Sequence, residues 1–145
     1  MPAQTFAHTA TARASVDEVW ASLDEPGTWE SIGGVNRVFN PVVDQQGRLQ
    51  GFSFETVAGG RSYVGTATPG LREEGRRITW QVDSSEIRGT TTVELEAVAA
   101  GTEIEVTLEV RSAGFLSSVF FPVITGGIGS GLGDAVDAFA ARFET

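Results

Sequence analysis

From Val35 to Ser112 the chain reads almost entirely as strand. The segments VNRVFNPVVD, LQGFSFETVA, RSYVGTATPG, RRITWQVDSS, GTTTVELEAV and TEIEVTLEVRS are separated by turns containing Gly, Pro or Asp. Short runs at this spacing specify an antiparallel sheet. The last run shows why its two faces differ. Ile104, Val106, Leu108 and Val110 alternate with Glu103, Glu105, Thr107 and Glu109. A period of two puts the aliphatic set on a dry face and the carboxylates on a wet one. VAAGTEI is the tight hairpin between the last two strands, and Glu73-Glu74 with Arg76-Arg77 marks a charged hairpin tip.

The flanks of this block carry helix signals. TFAHTATA alternates Phe6, His8, Ala10 and Ala12 against threonines, as a half-buried strand does. ASVDEVWASLDEPGTW follows. Ser15 and Glu18 form a capping box, in which each side chain satisfies a backbone N–H of the first turn. Val16, Val19, Trp20 and Leu23 make an apolar stripe, and Pro26-Gly27 is expected to stop the helix. SIGGV is a turn-rich link with room for a second short helix. At the other end Ile124, Ile128, Leu132, Ala135, Phe139 and Phe143 recur at steps of three and four, with Asp134, Asp137, Ala141 and Glu144 towards the opposite side. The 145 residues therefore read as one α+β domain, 1–145: strand, helix, about six antiparallel strands, one long helix.

The approach to that last helix is unusual. Ser112 to Gly133 is a run of 22 residues without a charge, of which 12 are Gly, Ser, Thr or Pro. A bilayer span needs about 20 predominantly apolar residues. Here the longest apolar stretch, Val119 to Ile124, contains Pro122, so a membrane span is not expected. Gly127, Gly129, Gly131 and Gly133 alternate, no G-x-G-x-x-G runs through them, and no Lys follows, so the run is no phosphate loop. Each glycine inside a helix costs about 1 kcal/mol relative to alanine, and five lie between Gly126 and Gly133. Close packing of helix on sheet, or a break at Gly126-Gly127, accounts for them. So does a wall whose missing side chains leave room for a ligand and let the segment gate it. The pocket wall is the reading adopted.

Charge and residue types exclude other classes. A net charge of -9, with ten Arg and no Lys, argues against nucleic acid, whose phosphates need clustered cations, and against anionic membrane surfaces. Without Cys there is no disulfide, thiol nucleophile or thiolate metal site. His8 is the single histidine, so any Ser/His/Asp triad must use it; a structural or exposed strand histidine is the alternative. No second His and no paired-carboxylate motif supports a metal, and no cofactor is expected. MPAQTFAHTATARAS lacks a basic region followed by an apolar core, so no secretory signal is read and a cytoplasmic address is expected.

Two stretches resemble a known superfamily. ARASVDEVWASLDEPGTWESIGGV is similar to the opening of the START-related, birch-pollen-allergen-like (SRPBCC, helix-grip) proteins: a strand, a small capped helix with Val-Trp, an acidic-Pro turn and a Trp shortly after. AAGTEIEVTLEV, followed by Gly114 and a long terminal helix, resembles their last hairpin and helix. Within the superfamily the chain looks most like the polyketide cyclase/dehydrase group and the G-type subunits of carbon-monoxide dehydrogenase. The latter carry Pro-Gly where this chain has Gly33-Gly34. The resemblance implies a helix-grip fold: a curved antiparallel sheet of about seven strands wrapped on a long C-terminal helix, with one or two short helices after the first strand. It also implies a deep apolar cavity between sheet and terminal helix.

On that footing the expected wall of the cavity comes from three parts of the chain. The first strand and the segment after the helix contribute Phe6, His8 and Trp29. The sheet contributes Phe52, Phe54, Tyr63 and Trp80, although GFSFETV can be read in either register and aromatics also serve as plain core. The terminal segment contributes Phe115, Phe120, Ile128, Leu132 and Phe139. Glu55 and Arg88 would orient an apolar ligand, or else sit on a solvated face. Three functions follow. The first is binding or transport of a small hydrophobic molecule, lipid, polyketide or isoprenoid-like. The second is a cyclase/aromatase-type enzyme in which His8, Glu55 or Arg88 moves a proton. The third is an assembly or chaperone component of a larger enzyme, docking on a protein partner. No nucleophile or acid–base pair is visible, which favours the first.

Overall fold

A computed structural model of the chain describes residues 3–32, 37–58, 60–84, 87–112 and 132–143. β1 (Ala3–Ala12) leads into α1 (Val16–Ser22) and α2 (Pro26–Ile32). Six strands follow: β2 (Arg37–Val43), β3 (Leu49–Ala58), β4 (Arg61–Glu73), β5 (Arg77–Ser84), β6 (Ile87–Val98) and β7 (Gly101–Ser112). Residues 132–141 form a helix, α3. All strands pair antiparallel in one sheet of order β1-β7-β6-β5-β4-β3-β2. The two strands nearest the helix pair in sequence are thus the two edges of the sheet.

Local chemistry explains the helices. Ser15 is extended, and its hydroxyl accepts the Glu18 backbone N–H at 3.2 Å, satisfying one of the donors a helix start leaves free. The Pro26-Gly27 pair follows the end of α1 at Ser22 and also opens the next helix, because proline's fixed φ and missing N–H suit a first turn. The second helix is therefore built on PGTWESI, beginning upstream of the SIGGV link where it was expected. Its side chains close the end of α1: Thr28 Oγ1 donates to the Ser22 carbonyl (2.7 Å) and Trp29 Nε1 to the Leu23 carbonyl (2.8 Å), both buried. In α3, Leu132 and Phe139 are buried as the stripe predicts, and Val136 and Ala140 are buried with them, on the four-residue step that the predicted stripe passed over.

Register decides which face is dry. Phe52 stands opposite Ala67 and Phe54 opposite Gly65, and both phenylalanines are buried. Gly65 is required there: a Cβ would sit 2.7 Å from Phe54 Cζ and 2.5 Å from the Asp83 carbonyl oxygen. The open register question around GFSFETV is thus answered with both rings on the inner face. One cross-strand row runs Phe6, Leu108, Thr91, Trp80, Pro69 across five strands, and a parallel row runs His8, Val106, Val93, Ile78. These rows, α1, α2 and α3 enclose the core.

Candidate functional site

The inner face of the sheet gathers the aromatics. Trp29, Phe52 and Trp80 form one cluster: Trp29 lies edge-on to Trp80 with centroids 5.7 Å apart, and Phe52 lies 5.3 Å from Trp80 and 6.3 Å from Trp29. Farther along β3 and β4, Phe54 and Tyr63 are buried on the same face. Phe6 on edge strand β1 is half-buried against this core, and Leu132 and Phe139 face it from α3. Phe115, Phe120, Ile128 and the glycines 126–131 lie outside the described residues.

His8 shares the β1 face with Phe6, and its partner is one that the sequence reading placed away from the core. Its Nε2 is 2.9 Å from Asp137 Oδ1 on α3, with the two side chains 34% and 61% exposed. The first turn of α3 presses on the same ring, since a Cβ at Gly133 would lie 3.3 Å from His8 Nδ1. At this glycine, the close packing of helix on strand is what the geometry displays. An imidazole held by a carboxylate is an arrangement that can relay a proton. Here it also ties strand to helix at the edge of the interior.

Glu55 and Arg88 stand elsewhere. Both were candidates for orienting an interior ligand, but each lies on the outer face, opposite to its buried neighbours. Glu55 is in register with Arg37 and Val64, the latter 57% exposed. Arg88 Nε bonds Asp83 Oδ1 at 3.1 Å in the open. The reason is the period of two: Phe54 turned inward forces Glu55 outward. Neither reaches the inner face.

A polar network under the aromatic cluster has no counterpart in the sequence reading. Arg72 grips Asp24 with both terminal nitrogens (3.1 and 3.2 Å) and donates Nε to Glu74 Oε1 at 2.7 Å. Asp24 Oδ1 also accepts the Leu49 backbone N–H at 3.1 Å. Trp20 Nε1 donates to Glu74 Oε2 at 2.9 Å, and the Arg72 guanidinium lies 5.2 Å from the Trp20 ring centre. Burial opposes the charge on Arg72, but bonds to Asp24 and Glu74 outweigh it and raise its pKa; the bond from Arg72 leads in lowering that of Glu74. The network joins α1, β3 and the β4–β5 hairpin around the entrance to β3. Only the unlike charges of Asp24 and Arg72 hinted at it in sequence, 48 residues apart.

Two of the cavities are lined by described residues. A cleft of about 530 Å³ lies among Glu73, Glu94, Glu96, Glu103, Glu105 and the arginines 76 and 77. It is a charged surface feature, remote from the aromatics. A smaller cavity of about 140 Å³ reaches Trp80 itself, with Leu49, Pro69, Leu71, Arg72 and Ile78 in its wall. No group of three His, Cys, Asp or Glu among the described residues is placed to hold a metal ion. No described helix is long and apolar enough to cross a membrane.

Comparison with known proteins adds the context. Residues 3–144 match the model of the family described as polyketide cyclase / dehydrase and lipid transport. No curated protein matches the chain. Among solved structures, a START superfamily protein from Mycobacterium smegmatis aligns at TM-score 0.69 and 12% identity, covering 95% of this chain and 97% of that one. The Zhui aromatase/cyclase from Streptomyces aligns at 0.68 and 17% identity, covering 97% and 95%. Ara h 8.0201 aligns at 0.56 and 14% identity, covering 97% and 99%. Identities this low speak for the fold: a curved seven-stranded antiparallel sheet with a C-terminal helix, the helix-grip arrangement.

Proposed function

Because the chain belongs to the polyketide cyclase/dehydrase and lipid transport family, we propose that it binds or carries a small hydrophobic molecule, a lipid, polyketide or isoprenoid, between the inner face of its sheet and its C-terminal helix. The observation that carries this reading is the composition of that face. Phe52, Phe54, Tyr63 and Trp80 point into it from three adjacent strands, Trp29 joins them from α2, and the ionisable candidates Glu55 and Arg88 point away. Such a wall rewards burial of apolar ligand surface at roughly 25 cal/mol per Å², before the costs of association are subtracted. The test is displacement of a fluorescent fatty acid from delipidated protein, alongside native mass spectrometry of protein taken from its own host. A saturable one-to-one site and a co-purified apolar mass are expected. Absence of both, across fatty acids, isoprenoids and aromatic polyketides, would overturn the proposal.

A second reading, a cyclase/aromatase-type enzyme, is favoured by one observation: His8 is held by the Asp137 carboxylate on the face shared with Phe6. A pair so oriented suits proton transfer on a folded poly-ketone chain. His8→Gln should then abolish conversion of such a chain while leaving its binding intact. Equal turnover by the variant would remove this reading and leave the binding proposal standing.

A further inference from the structure

One polar side chain interrupts the apolar rows of the inner face. β6 turns Thr91, Val93 and Leu95 towards the core, and alternation turns Thr90 and Thr92 the other way. Thr91 lies between Trp80 of β5 and Leu108 of β7 and is 3% exposed. Threonine and valine are both branched at Cβ and both suit a strand, so the hydroxyl is what sets this position apart from Val93.

That hydroxyl has nothing to bond. Five polar side chains are buried among the described residues. Ser22 and Thr28 donate to the Val19 and Ser22 carbonyls at 2.6 and 2.7 Å, Thr102 donates to the Ala14 carbonyl at 2.8 Å, and Ser112 is partnered too. Thr91 alone of the five has no partner. Its neighbours on this face are Gly89 and Val93 along the strand and Trp80 and Leu108 across it, none with a side-chain oxygen. Buried polar groups are almost always paired, because losing water without gaining a bond is costly. Trp80 Nε1 is the one side-chain nitrogen or oxygen among the described residues that is unbonded and also sealed from water. Thr91 Oγ1 is unbonded without being sealed, so the little surface this residue keeps includes its hydroxyl. With β5 and β7 on either side, that access comes from the interior, between the sheet and α3.

We propose that the Thr91 hydroxyl is the polar anchor of this interior, and that it selects an apolar ligand carrying one neutral oxygen, a hydroxyl or a carbonyl. This rests on the hydrophobic-ligand reading above and narrows it. The group both donates and accepts, so it serves an alcohol in either direction and a ketone as donor. An ionised head group is disfavoured, because the side chains around Thr91 carry no charge to offset its lost water.

The compounds n-decanol and n-undecane test this, since they differ by a methyl in place of the hydroxyl. Each competes against the neutral dye phenyl-naphthylamine on the full chain. In Thr91→Val the decanol Kd should weaken about fivefold, the loss expected for one neutral hydrogen bond, and that of undecane should change less than about twofold. Thr91→Ser keeps the hydroxyl and should keep the decanol affinity. Ionised decanoate should compete less well than decanol; the reverse order overturns the neutral class. Without ligand, Thr91→Val should unfold at an equal or higher denaturant concentration, since it removes an unbonded group. A lower midpoint overturns the proposal, because it shows the hydroxyl already bonded, to the chain or to a resident water. Equal changes for decanol and undecane, or equal losses in the Val and Ser variants, reject the anchor and leave the hydrophobic-ligand reading intact. No binding of any apolar probe rejects both.

Discussion

The aromatic end of the molecule and the seam between α3 and β1 hold together by different means. At the aromatic end, Trp29 and Trp80 are each 1% exposed, and the helix-end carbonyls are satisfied by buried side chains of α2. Removing any partner there leaves a polar group without water or bond, which is the expensive case. At the seam, Val136 and Phe139 give α3 a dry spine; the pairs His8 with Asp137, and Arg142 just after the helix with Glu25 at 3.7 Å, are exposed, and Arg142 also donates to the buried Thr28 Oγ1 at 3.5 Å. Water replaces the exposed links at small cost. The lesson is that the sheet end depends on buried bonds that water cannot replace, whereas α3 depends on apolar packing and on exposed pairs that water can replace.

The largest effect should come from the aromatic end. Trp29→Ala removes a buried ring and orphans the Leu23 carbonyl, so denaturant unfolding should show a loss of about 3–5 kcal/mol. A loss under 1 kcal/mol would break the comparison at its first term. Gly65→Ala comes next, because its Cβ meets the Asp83 carbonyl and the Phe54 ring; overpacking of this kind costs about 1–3 kcal/mol. Asp24→Asn weakens the grip on Arg72 and should cost about 1–2 kcal/mol in the same assay. The seam should respond least: Asp137→Asn, an exposed change, should cost less than ~1 kcal/mol. It should nevertheless speed hydrogen exchange of residues 132–141 while leaving β5 and β6 unchanged. If exchange rises equally in the strands, α3 is not a separable element.

Acid sharpens the contrast from another side. The Glu74 pKa lies below its ordinary 4.5 in the folded chain, chiefly through the bond from Arg72. A group depressed on folding contributes stability above its unfolded pKa, and that contribution is lost as pH falls through the folded value. Unfolding curves should therefore lose an increment below about pH 4.5 that Glu74→Gln lacks. Identical acid profiles for the two proteins would remove Glu74 from the network.

Much of the fold was legible in sequence because alternation and helical steps are local. β3 and β7 were bounded nearly residue for residue, and the Ser15–Glu18 cap was visible as a motif. The candidate site was legible only in part. Trp29, Phe52 and Trp80 were chosen as aromatics, but their mutual contact depends on α2 lying against β3 and β5. Glu55 and Arg88 were chosen as polar residues in strands, and only the register turned them outward. Asp137 was set aside as solvent-facing, yet it meets His8 across 129 residues of sequence. The unpartnered N–H of Trp80 leaves no trace in the chain at all, since it is defined by what fails to approach it.

By itself, then, the sequence determined a two-faced antiparallel sheet, a capped first helix and an amphipathic last one, because each of these is written in residues a few places apart. The tertiary structure alone decided which faces meet: Gly65 under Phe54, Arg72 on Asp24, His8 against α3. Periodicity states that a side chain is turned inward. Only packing and register choose its neighbour, because those depend on contacts between residues that are far apart in the chain.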